Sequence, residues 1–167
     1  RETDGLTEVA LLAGTGNVTA LTVGTGDVLS ADSAVDITAT TLDFTVTDGD
    51  FGDTDTAAGN AIETTVTDIT VDSSGNNGDQ FIRETDGLAE LLLAAGSGNV
   101  SLETTAAGNV LSADSAVDIS GTTVSVTITD GDYGDTDTAA GNAIETTAGA
   151  LSVDTSANNN NQFVRET

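Results

Sequence analysis

Four aspartates, Asp48, Asp50, Asp53 and Asp55, stand within eight residues of one another in the stretch TDGDFGDTDTAAGNAIETT, residues 47 to 65. The same nineteen letters return at 129 to 147 with one exchange, Tyr133 for Phe51, so Asp130, Asp132, Asp135 and Asp137 repeat the set. Glu63 and Glu145 follow the two sets at the same distance. A calcium ion takes six to eight oxygens from carboxylates and carbonyls on a flexible, glycine-rich loop, and this loop supplies those ingredients. Its spacing fits neither the EF-hand loop nor the nonapeptide calcium repeat. Asp and Gly are also good turn formers, so two readings stay open: a calcium loop with these eight aspartates as ligands, and a plain solvated turn.

Little other chemistry is offered. Proline, cysteine, methionine, tryptophan, histidine and lysine are absent, which removes most nucleophiles, bases and metal-binding nitrogens. With 28 acids against 3 arginines the formal charge is 3 − 28 = −25. Such a field repels nucleic acid and anionic membranes, and no basic patch counters it, so nucleic acid is excluded as a partner. No apolar run approaches the roughly 18 residues of a spanning helix, which excludes membrane insertion by that route. A polysaccharide-processing enzyme on a β-helix is the remote alternative, because paired carboxylates can work as acid and base on a glycoside. The aspartate cluster occurs twice, however, and each copy would need its own cleft. The expectation is therefore a protein that is not an enzyme.

The three arginines occupy one repeat position, Arg1, Arg83 and Arg165, each followed by a glutamate. A lone guanidinium in an acidic field pairs with a carboxylate, and its planar fork suits a bidentate contact to the preceding or following rung. Arg1, Glu2, Arg83 and Glu84 are thus expected in structural ion pairs.

These recurrences define a period. RETDGL begins at Arg1 and again at Arg83, and 83 − 1 = 82; residues 1 to 85 align with 83 to 167 without a gap, at 56 identical positions. Residues 1–82 form one repeat, 83–164 a second, and 165–167 the start of a third, as in an excerpt from a longer continuous array. Within a unit, short alternating apolar runs such as NVTALTV (17–23) and TLDFTVT (41–47) are separated by Gly-Asn and Gly-Asp turns, a strand grammar with no helical period. Cutting at the turns gives the pieces 80–98, 17–34, 35–61 and 62–79, three of near-equal length and one, 35–61, that is longer. The spacing predicts about four coils of a β-solenoid per repeat, the third carrying the acidic loop as an insertion. At a rung spacing of about 4.8 Å, four coils would set successive insertions roughly 19 Å apart. Tandem Ig-like β-sandwiches are the alternative, since one repeat is long enough for such a domain, although the buried tryptophan and the turn prolines are missing.

The segments GNVTALTVGTGDV, SADSAVDITATTLDFTV, AAGNAIETTVTDITVDSS and FIRETDGL resemble the repeat arrays of giant filamentous-haemagglutinin-like surface proteins of Gram-negative bacteria, over the whole chain. The resemblance implies a right-handed parallel β-helix in a secreted, extracellular filament or sheath that serves cell-surface adhesion or scaffolding. The partners it implies are further copies of the same repeat, laterally packed filaments and cell surfaces. A calcium-rigidified adhesin stalk of tandem domains is the alternative function.

Overall fold

The computed structural model describes all residues, Arg1–Thr167. Ten strands follow in order: β1 (Leu11–Leu12), β2 (Val18–Thr25), β3 (Ile37–Asp48), β4 (Ile62–Asp72), β5 (Gln80–Glu84), β6 (Glu90–Ala94), β7 (Val100–Ala107), β8 (Ile119–Asp130), β9 (Ile144–Asp154) and β10 (Val164–Glu166). They join one sheet in which every pairing is parallel. Each strand lies on the strand one turn earlier, so the chain winds as a β-solenoid, a parallel β-helix. The Ig-like alternative falls here, because a sandwich is built from antiparallel pairs.

Why these segments wind rather than fold back is visible in β3. Ile37 and Ala39 point inward, then the inward set changes phase to Leu42, Phe44 and Val46. Thr40, between the two sets, sends its N–H to the Gly16 carbonyl. A strand that changes phase bends around a corner and serves two walls of the same narrow core. That core is a single cluster of 26 buried apolar residues, mostly Val, Leu and Ile stacked rung on rung, as in Leu42–Ile69–Leu91 and Phe44–Val71–Leu93. Small branched side chains suit such stacking, where successive rungs are only about 4.8 Å apart.

The ladder runs through the repeat boundary without a break. Ile82, the last residue of the first repeat, pairs with Ile62 on one side and Leu102 on the other.

The turns are fewer and longer than the sequence spacing suggested. One column reads Leu11, Ile37, Thr64, Glu84, Thr104, Ile128, and another reads Leu21, Thr45, Asp72, Ala94, Ser120, Thr147. The step along the first column is uneven, wide from Ile37 to Thr64 and narrow from Thr64 to Glu84 and from Glu84 to Thr104. Between Ile37 and its repeat equivalent Ile119 the chain passes Thr64, Glu84 and Thr104 and stops midway to Ile128, so one repeat makes about three and a half turns, not four. The start of β3 therefore stacks in line with the end of β8 through Ile37 and Ile128, and the end of β3 with the start of β8 through Thr45 and Ser120. Equivalent residues of the two repeats sit on opposite sides of the solenoid, half a turn apart. The acidic loops share no face, contrary to the stacked arrangement that four whole coils would give.

One corner is made of glycine alone. Gly26 lies against Gly5, Gly49 against Gly26 and Gly78 against Gly49, so closely that a Cβ on Gly26 would fall 3.0 Å from Gly5 Cα, and one on Gly49 would fall 2.6 Å from the Gly26 carbonyl carbon. Gly87, Gly108 and Gly131 repeat the stack on the other side.

Candidate functional site

The loop that carries the sequence-predicted ligands is part of the corner rather than an appendage to it. Phe51 is fully buried with its ring centroid 5.1 Å from that of Phe44, and Tyr133 is buried in the equivalent place. Asp48 accepts a hydrogen bond from the Asn76 amide on the next rung. Asp50 belongs to a ladder: Asp27 Oδ1 accepts the Asp50 N–H at 2.9 Å, Asp50 Oδ1 accepts the Asp79 N–H at 2.7 Å, and Asp79 Oδ1 accepts the Asn99 N–H at 2.7 Å. Burial pushes the Asp50 carboxyl up, opposed by the Asp79 N–H and aided by the charges of Asp27, Asp79 and Asp53. Asn109, Asp132 and Asn161 form the matching ladder in the second repeat.

Asp55 faces solvent and takes the Ala57 N–H at 2.8 Å and the Asn60 amide at 3.1 Å, bonds that hold its carboxyl below the usual range. Asp137 does the same with Ala139 and Asn142. Asp53 and Asp135 are exposed, and their N–H groups bond to the Asn60 and Asn142 carbonyls. Asp130 accepts the Asn160 amide at 3.5 Å. Six of the eight carboxylates thus serve turn and ladder bonds, Asp53 and Asp135 bond only through their N–H groups, and the structure does not gather the eight around a common point.

The arginine positions divide in a similar way. Arg83 and Glu84 are adjacent on β5 and face opposite sides of the strand. Glu84 turns into the solenoid interior, fully buried, where its carboxylate accepts the Thr64 hydroxyl at 2.6 Å and the Thr85 N–H at 2.9 Å. Burial pushes its pKa up to about 7. Arg83 stays on the outer face, in register with Glu63 on the preceding rung and Glu103 on the following one. Arg1 is exposed, and Glu2 Oε1 accepts the Thr3 N–H at 2.6 Å.

Carboxylates do converge elsewhere. Glu8, Asp32 and Asp36 bring one oxygen each to within 4.8 Å of one another, and Glu90, Asp114 and Asp118 do so in the second repeat. A fourth acid adjoins each triad. The Glu63 N–H donates to Asp36 Oδ2 at 2.8 Å, the Glu145 N–H donates to Asp118 Oδ2 at 2.7 Å, and in both pairs the two carboxyl groups abut. Asp36 and Glu63 are 3 % and 6 % exposed, Asp118 and Glu145 both 2 %. Burial first, then the neighbouring glutamate, raises Asp36 and Asp118 to about 7.

Each acid is aimed by its own local bonds. Glu8 Oε2 accepts the Ala31 N–H at 2.9 Å, Asp32 Oδ1 the Ala34 N–H at 2.7 Å, Asp36 Oδ1 the Ser30 hydroxyl at 3.2 Å, and Glu63 Oε1 the Gly59 N–H at 2.8 Å. The same four bonds recur around Glu90, Asp114, Asp118 and Glu145. The two clusters lie on opposite sides of the solenoid, as the half-turn between repeats requires.

A search for dense local acids misses this site, because its members come from successive turns: Glu8, then Asp32 and Asp36, then Glu63. The signal that marks it is the tract VLSADSAVDI, identical at 28–37 and 110–119, together with AIETT at 61–65 and 143–147. No protein family, curated protein or solved structure matches this chain.

Proposed function

We propose that this chain is a structural rod segment of a long extracellular filament or sheath on a bacterial surface, where it scaffolds or spaces adhesive elements. The observation that carries this reading is the unbroken ladder at the repeat boundary, with Ile82 paired to Ile62 and Leu102 at once. Tandem domains joined by a linker would bend at each junction; a continuous ladder transmits load through hydrogen bonds and core contacts along its whole length. The seamless junction also favours a rod over a stalk of separate calcium-rigidified domains. The charge of −25 keeps such rods soluble and apart.

The surface supports a structural role over a catalytic one. The largest groove, about 330 Å³, runs past Val66, Asp86, Leu88, Gly108 and Leu111 and holds a single carboxylate, whereas glycoside hydrolysis calls for two facing acids. Antibodies raised against residues 129–143 test the reading on cells that make the protein. Labelling of filaments or a sheath outside the cell, seen by immunogold electron microscopy, is the expected result. Label confined to the cell interior would remove it.

A further inference from the structure

We propose that each four-carboxylate cluster, Glu8–Asp32–Asp36–Glu63 and Glu90–Asp114–Asp118–Glu145, binds one calcium-sized divalent cation that clips three successive turns of the solenoid together. The donors come one turn apart: Glu8 from the first turn, Asp32 and Asp36 from the next, Glu63 from the third. Glu8, Asp32 and Asp36, like Glu90, Asp114 and Asp118, bring oxygens within 4.8 Å of one another and can share an ion at about 2.3 to 2.6 Å from each, while Glu63 and Glu145 join through the buried aspartate that they abut. Four carboxylates supply up to about eight oxygens, the number calcium takes and more than magnesium's strict octahedron accepts.

A second observation points to a ligand independently of that convergence. Glu63 Oε2 and Glu145 Oε2 are buried without a hydrogen-bond partner, each on a glutamate at least nine-tenths buried and lying against the cluster's buried aspartate. A buried anionic oxygen left alone is costly, and a cation is what removes that cost. No basic side chain neutralises the whole cluster: lysine and histidine are absent, and a guanidinium from Arg83 at Glu63 would still leave three carboxylates facing each other. The four acids are the same in both repeats, while apolar positions around them exchange Val9 for Leu91, Ala10 for Leu92 and Val66 for Ala148.

The protein carries a reporter for one of the two sites. Tyr133 is its single tyrosine and tryptophan is absent. Tyr133 pairs with Val110, two residues before the Ser112 that donates to Asp118, and its buried phenol is raised first by burial and then by the charge of Asp118, so the ring lies near the second cluster. Terbium, a calcium-like ion, titrated into the full chain should give tyrosine-sensitised emission from the second site alone. Glu145→Gln should weaken that signal's apparent affinity at least tenfold, and Glu63→Gln should leave it unchanged.

Calorimetric titration with calcium chloride should give two sites in the parent chain, one in each single variant and none in the double variant. Should circular dichroism show that a buried substitution unfolds the chain, Glu8→Gln with Glu90→Gln, on less buried ligands, should produce the same loss without disturbing the core. Three results would overturn the proposal: no saturable calcium binding by the parent at millimolar ion, unchanged binding in these variants, or loss of binding on replacing Asp48, Asp50, Asp53 and Asp55 instead. None of these readouts depends on whether the chain builds filaments.

Discussion

Gly108→Val should cost more than about 4 kcal/mol and lower the melting temperature by about 10 °C or more. A Cβ at Gly108 would overlap the Asp86 carbonyl oxygen, 2.5 Å from its carbon and 3.0 Å from Gly87 Cα. All of these are backbone atoms of the neighbouring rung, so no side chain can swing away, and two rungs must separate. Separation breaks ladder bonds on both sides, including Gly108 N–H to Asp130 O and Leu88 N–H to Asn109 O. Gly14→Ala is the matched control. Gly14, unlike Gly108, has a positive φ, +61°, but nothing lies within 4 Å of its Cβ position, so the substitution should cost only about 1 kcal/mol. Equal melting temperatures for the two variants would show that the glycine corner is not packed as described.

Stability should rise, not fall, as the pH is lowered from 8 to 5. Glu84 has its folded-state pKa raised to about 7 from an ordinary 4.5, so the folded protein binds the proton more tightly than the unfolded chain. The resulting stabilisation is fully present below the unfolded value and is lost as the pH rises through the folded one. Its size is at most about 3 kcal/mol, or about 6 to 12 °C in melting temperature for a chain of this length. Asp36 and Asp118, also raised to about 7, act with the same sign in the absence of metal. Asp55, Asp137 and Asp154 have lowered values and act with the opposite sign, but only as the pH falls through the ordinary aspartate range and below. Melting in the presence of a chelator should therefore be highest near pH 5. Glu84→Gln should flatten the slope between pH 5 and 8; a slope equal to the parent's would place the linked proton elsewhere.

Repetition, alternation and turn chemistry made the solenoid legible in the sequence. Alternation within 41–47 marked Leu42, Phe44 and Val46 as one face, and all three are buried. The turn count was not legible, because some corners fall where a strand changes phase, and the one between Ala39 and Leu42 carries no glycine or aspartate to announce it. The acidic loop is copied between repeats for reasons that act through neighbouring rungs. Gly49 must fit against Gly26, Asp50 must continue the ladder from Asp27 to Asp79, Phe51 fills the core, and Gly59 holds Glu63. A dense run of acids drew the ligand reading to Asp48–Asp55. Convergence in space joins acids a turn apart instead, and that depends on the turn length, which the chain does not display.

The half-turn relation between repeats is the central structural claim, and the helical symmetry of a multi-repeat array, measured by cryo-electron microscopy, tests it most directly. Three and a half turns at about 4.8 Å predict a rise of about 17 Å per repeat with a rotation near 180°, and a true axial period of about 34 Å. A rise of about 19 Å with no rotation would mean four whole turns per repeat and would place the two carboxylate clusters on one face. A rise of about 30 Å or more would mean separate globules and would contradict the continuous ladder altogether.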